Sequence, residues 1–151
     1  MEKLEVLKRS DLFRDLNDEQ LAEIEIMCTA LEFDTGEILC KQGIVGGMIY
    51  VIETGLVGIM LEVGLMAKRQ VQAAANFESF GWSAMIEPFT CTATVKALEK
   101  TKVYGFNGRE LSDLCTTHSE IGCKLNRAVA RVVAERLRQA YVQLLGCTYQ
   151  E

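Results

Sequence analysis

Between Leu31 and Phe106 glycines cut the sequence into segments too short to hold a crossover helix: FDTGEILCKQG, IVGGMIYVIETG and LVGIMLEVG. Within them apolar and polar residues alternate or form short apolar runs such as Met48 to Ile52. They are rich in Val, Ile and Tyr, the habit of strands. Parallel strands need a connection of about a dozen residues or more, usually helical. These segments must therefore pair antiparallel, and the expected architecture is a barrel or double-sheet roll. With 151 residues, 49% of them hydrophobic, the chain can bury a core as one domain.

Helices are expected on both sides of the roll. Asn17 and Asp18 precede EQLAEIEIMCTAL, in which Leu21, Ile24 and Met27 with Cys28 repeat at helical spacing, predicting a helix from about Asp18 to Ala30. After the strand pair CTATVKALEK and TKVYGFNGR, helical spacing returns in RELSDLC and over Ser119 to Leu145. There Ile121, Leu125, Val129, Val132, Val133, Leu137, Ala140, Tyr141 and Leu144 form a stripe at steps of three and four. About 26 residues at 1.5 Å each extend roughly 39 Å, more than a small roll covers. Part of the stripe needs a partner, and a second copy of the chain is the simplest one.

The layout read from the sequence is thus a single α+β, mainly β, domain over 1–151. It has N-terminal helices in 1–30, a β-roll in 31–107 and C-terminal helices in 108–146, with no DNA-binding domain.

Composition removes several function classes. A net charge of -5 argues against a chain devoted to nucleic acid. Lys124, Arg127, Arg131, Arg136 and Arg138 on the long helix read as a solvated face. The six cysteines, Cys28, Cys40, Cys91, Cys115, Cys123 and Cys147, include no CxxC pair, and one histidine, His118, gives no zinc pattern. Reduced thiols, no export signal at MEKLEVLKRSDLF and no apolar run near 20 residues make a cytoplasmic protein the expectation. GWSAM has the look of a nucleophile elbow, and Ser83, Asp113 and His118 fall in hydrolase order. The second glycine of that motif and the strand-helix alternation that carries it are both missing, so no enzyme is expected.

The stretch FGWSAMIEPFTCTATVKA packs a glycine, a helical turn, the only proline and a small-residue strand into eighteen residues. Loops of this kind bring backbone N–H groups onto one anion. Together with FDTGEILCKQGIVGGMIYVIETGLVGI, it resembles the cyclic-nucleotide-binding domain, the sensor half of regulators similar to the cAMP receptor protein. The matching features are Gly36-Glu37 opening a strand, Gly43 ending it, the run Ile49-Tyr50-Val51, the turn glycine Gly55 and the Phe80-Gly81 pair. The resemblance covers about Leu12 to Leu145. It implies a jelly-roll-like β-roll with N-terminal helices, a short cassette helix and a long C-terminal helix.

In the resembled family the residue after that Phe-Gly is a Glu that binds the ribose, and an Arg before a small-residue run pairs with the cyclic phosphate. Here those positions hold Trp82 and Cys91. Without charge-assisted bonds of roughly 1.5–3 kcal/mol each, the phosphate is left desolvated against neutral walls. Backbone N–H groups near Ser83 to Met85 and the Ser83 and Thr92 hydroxyls remain as weaker donors.

The resemblance therefore implies a degenerate pocket at Phe80, Gly81, Trp82, Ser83, Ala84, Met85, Cys91, Thr92 and Ala93. It also implies a homodimer helix at Leu125, Val129, Val132, Leu137 and Tyr141, and no cofactor, neither haem nor iron-sulfur. Trp82 carries two readings, the wall of a pocket altered for an apolar effector or the filling of a collapsed one. The expected function is a non-catalytic sensor or interaction module that does not hold cAMP or cGMP tightly. The alternatives are a receptor for a non-nucleotide effector and a cyclic-nucleotide binder with substitute anchors such as Arg127 or Arg131. Partners expected are a second copy, an unknown effector or protein, and neither DNA nor membrane.

Overall fold

The structure is a computed structural model that describes residues 2–45, 47–65 and 67–149. Helix α1 (Lys3–Arg9) leads to α2 (Asp18–Met27), whose start is fixed by a capping box. The Gln20 N–H donates to Asn17 Oδ1 at 2.9 Å, and the Asn17 N–H donates to Gln20 Oε1 at 3.0 Å. The helix ends three residues before the expected Ala30. Cys28 already lies in β1 (Cys28–Phe33), opposite Phe106. Pairing with a neighbouring strand here outweighs the local helical pattern.

The roll follows as β2 (Ile38–Cys40), β3 (Met48–Thr54), β4 (Val57–Glu62), β5 (Lys68–Ala74), β6 (Ser79–Phe80), a 3-10 turn (Trp82–Met85), β7 (Thr94–Ala97) and β8 (Thr101–Asn107). It forms two four-stranded sheets, β1-β8-β3-β6 and β2-β7-β4-β5, and every pairing is antiparallel. Sheet faces explain the continuous run in β3, where Ile49, Tyr50, Val51 and Ile52 are all buried. Ile49 and Val51 join Phe13, Leu21, Ile24, Phe106 and Leu125 in a core between sheet and helices. Tyr50 and Ile52 turn the other way, into a second core between the sheets with Phe80, Val95 and Val103. Phe13 and Phe106 have ring centroids 5.0 Å apart in the first core, and Tyr50 stacks on Phe80 at 5.0 Å in the second.

Helix α3 (Gly108–Thr117) begins at Asn107, whose Oδ1 accepts the Glu110 N–H at 3.0 Å. The final helix, α4 (Ser119–Tyr149), has 31 residues. Ile121, Leu125, Ala128 and Val132 are buried against the body of the chain. Leu137, Tyr141, Leu144 and Leu145 are 50%, 56%, 70% and 57% exposed, so the last turns carry their apolar face beyond the roll. This corrects the expected dimer helix: Leu125 and Val132 are held in the chain's own core, Val129 packs against its edge, and only Leu137 and Tyr141 of the five are open to a partner.

Candidate functional site

The turn after β6 is set by Gly81. Its φ of 83° is a left-handed conformation, and a Cβ there would stand 2.7 Å from the Met48 carbonyl oxygen. The chain then tightens into the 3-10 turn, with the Ala84 N–H donating to the Gly81 carbonyl at 3.0 Å. That donor is committed within the turn, which corrects for Ala84 the expectation that the N–H groups of the Ser83 to Met85 stretch face a ligand. Arg109 of α3 lies over the Phe89 ring at 4.8 Å and braces the far end of the loop.

A cavity of about 220 Å³ opens between this turn, the second sheet and α4. Phe80, Gly81, Trp82, Ser83, Cys91, Thr92 and Ala93 line it, as do Ile59, Leu61, Val71 and Val95. Ala84 is buried where the start of α3 packs against it, and Met85 lies on a separate depression with Ser112 and Cys115, so neither belongs to this wall. The indole of Trp82 does not fill the roll. It packs against the helix-side core and leaves the cavity open on its other side.

Cys91, in place of a cation, is buried in this wall beside Cys40. Burial pushes the Cys40 thiol up, and the neighbouring Cys91 adds to the effect, so Cys40 is a neutral lining group. Among the described residues Cys28, Cys40, Cys91, Cys115 and Cys123 form no disulfide, and the Cys147 side chain lies outside the described residues.

The cation of the site comes from a position that the sequence reading had assigned to a solvated face. Arg136 is 6% exposed and lines the cavity. Its Nη2 donates to the Ser79 carbonyl at 2.9 Å, one residue before Phe80 in the cavity wall. Its own main-chain carbonyl accepts Gln72 Nε2 from the second sheet at 2.8 Å. Its Nη1 is buried with no acceptor, and so is Trp82 Nε1. The candidate substitutes fall elsewhere: Arg131 is paired to Asp15 at 2.7 Å, and Arg127 is exposed and outside the cavity wall. The signal for Arg136 was present in the spacing, because Ile121, Leu125, Ala128, Val132 and Arg136 advance by four, three, four and four along one face.

Comparison with known proteins agrees with this geometry. Residues 30–118 match the family model of the cyclic nucleotide-binding domain. The fold superposes with a TM-score of 0.80 on a cyclic nucleotide-binding protein from Geobacter metallireducens, at 26% identity, covering 91% of this chain and 99% of that one. The N-terminal domain of a transcriptional regulator from Streptomyces coelicolor gives a TM-score of 0.70 at 28% identity, covering 92% and 94%. A Rhodopseudomonas palustris protein described as a potassium channel protein is 26% identical over 141 residues, covering 93% of this chain and 34% of the relative. The chain spans about a third of the length of that curated relative.

Proposed function

The chain belongs to the cyclic nucleotide-binding domain family, and on that premise we propose that it is a non-catalytic, cytoplasmic regulatory module whose pocket does not hold cAMP or cGMP tightly. The observation that carries this reading is the pair Trp82 and Cys91. Both line the cavity, and the sequence resemblance sets them at the family's ribose and phosphate anchors, where neither is a Glu or an Arg. A cyclic phosphate placed against Cys91 meets a buried side chain where the family has a guanidinium, and desolvation of the phosphate goes uncompensated there.

The packing also supports a route from pocket to helix. Gly108 at the start of α3 sits where a Cβ would be 2.7 Å from the Ala84 carbonyl carbon, and Gly122 of α4 sits where one would be 3.1 Å from the Cys115 carbonyl carbon. Backbone is thus close to backbone from the cassette turn to α3 and from α3 to α4, and a displaced turn moves α4. The exposed apolar end of α4, with Leu137 and Tyr141, pairs with a second copy, and occupancy of the pocket changes that pairing.

Calorimetric titration of the purified chain with cAMP and then cGMP tests the reading. The expected result is no saturable heat up to millimolar nucleotide. Micromolar binding of either one overturns it.

A further inference from the structure

Resting on the reading that nucleotide is not the tight ligand, we propose that the cavity is a receptor site for a small organic monocarboxylate with an apolar body, its carboxylate held by Arg136. Among the described residues the cavity wall contains one cation and no Asp or Glu. Arg136 is more than nine-tenths buried and, among the described residues, makes no ion pair and leaves Nη1 without an acceptor. Asp11 also approaches Ser79, but its Oδ2 accepts the Ser79 N–H at 3.2 Å and it forms no ion pair with Arg136. A buried guanidinium with an unmet donor is costly, and an anion entering the cavity relieves that cost. A donor with nothing to accept from it favours a ligand head that only accepts, as a carboxylate does.

Charge and size narrow the class. A phosphate monoester carries about -1.5 to -2, and a single guanidinium leaves much of that unbalanced among Ile59, Leu61, Val71 and Val95. A monocarboxylate carries a single charge, which matches Arg136. The volume of about 220 Å³ falls below the roughly 300 Å³ at which pockets for larger ligands begin. The apolar strand residues opposite take an aliphatic or phenyl body. Because Arg136 is bonded to Ser79 of one sheet and Gln72 of the other, a carboxylate on it acts directly on α4.

Trp82 is the only tryptophan in the chain and reports from within the wall. The full chain is titrated with phenylacetate and hexanoate while its emission is followed, with phenylacetamide as the neutral isostere and cAMP as the alternative monoanion. At least one carboxylate is expected to saturate the signal, and phenylacetate to bind roughly tenfold or more tighter than the amide. Arg136→Gln is expected to remove that preference, and Arg136→Lys to restore part of it. Should Arg136→Gln fail to fold, the acid-to-amide preference of the unaltered chain and of Arg136→Lys decides the matter. Equal binding of acid and amide, or no response to either carboxylate, overturns the carboxylate site and leaves the proposed function standing. Saturable cAMP binding that depends on Arg136 overturns both.

Discussion

Arg136 Nη2 donates to the Ser79 carbonyl at 2.9 Å, while the main-chain carbonyl of the same arginine accepts Gln72 Nε2 at 2.8 Å. Ser79 belongs to β6 and Gln72 to β5, so one residue of α4 is clasped by both sheets. Two residues on, Arg138 pairs with Glu135 on the helix itself and not with a sheet. This position marks where the packed half of α4 gives way to the projecting half.

Gln72→Ala removes the outer half of the clasp without touching the guanidinium. A neutral hydrogen bond of this kind contributes about 0.5–1.5 kcal/mol, and the loss is expected to be local. Hydrogen exchange is expected to quicken around Val132 to Ala140 while the β3 and β8 amides keep their protection. Uniform loss of protection across the chain, or no change in α4, contradicts the clasp.

The cassette turn depends on two glycines for different reasons. At Gly81 the backbone is left-handed and a Cβ points at the Met48 carbonyl oxygen 2.7 Å away, so Gly81→Ala meets both a conformational penalty of about 1–2 kcal/mol and a clash. At Gly108 the conformation is ordinary, but a Cβ would press into the Ala84 carbonyl, so Gly108→Ala costs about 1–3 kcal/mol by overpacking alone. Urea unfolding is expected to show both losses. Wild-type stability in the two variants means that the turn is not packed as described.

Most of the roll was legible because glycine turns and alternating strands are local signals. MIYVI at 48–52 read as an apolar strand from its residues alone. The end of α2 was not legible, because Met27 and Cys28 continue a helical repeat and only the distant Phe106 makes Cys28 a strand residue. Arg136 was missed for a related reason. A stripe through Val133 and Leu137 is as hydrophobic as one through Ala128 and Val132. The sheets that lie against the helix, and not its own sequence, decide which stripe is buried. An arginine on the buried stripe then has the burial of a core residue and the chemistry of a binding one.

Alkaline pH is expected to loosen the inter-sheet core. Burial, with Cys40 and Cys91 nearby, pushes the Tyr50 hydroxyl from 10.0 up to about 12, and burial raises Cys40 above its ordinary 9.0. Both groups are neutral when protonated, so above these ordinary values the unfolded chain releases protons that the native chain retains. The stabilisation is therefore complete below about pH 9 and is lost as pH rises toward 12. Urea midpoints across that range are expected to fall steadily, and a flat or rising profile contradicts the buried, protonated state of these two side chains.

The projecting end of α4 gives a prediction about assembly. Leu137, Tyr141 and Leu144 follow one another at steps of four and three, the spacing of a helix-pairing seam, and each is at least half exposed. A helix that carries such a seam beyond its own roll is stabilised by burying it, at roughly 25 cal/mol per Å² of apolar surface covered. Sedimentation of the unaltered chain at micromolar concentration is expected to show a dimer, and Leu137→Glu with Leu144→Glu a folded monomer, since neither residue supports the core. Leu125→Glu is expected to behave differently. That side chain is fully buried between α4 and the first sheet, so the variant loses the native fold instead of merely dissociating. A monomeric unaltered chain, or a Leu137/Leu144 double variant that still dimerises, removes the seam from the proposed route between pocket and partner.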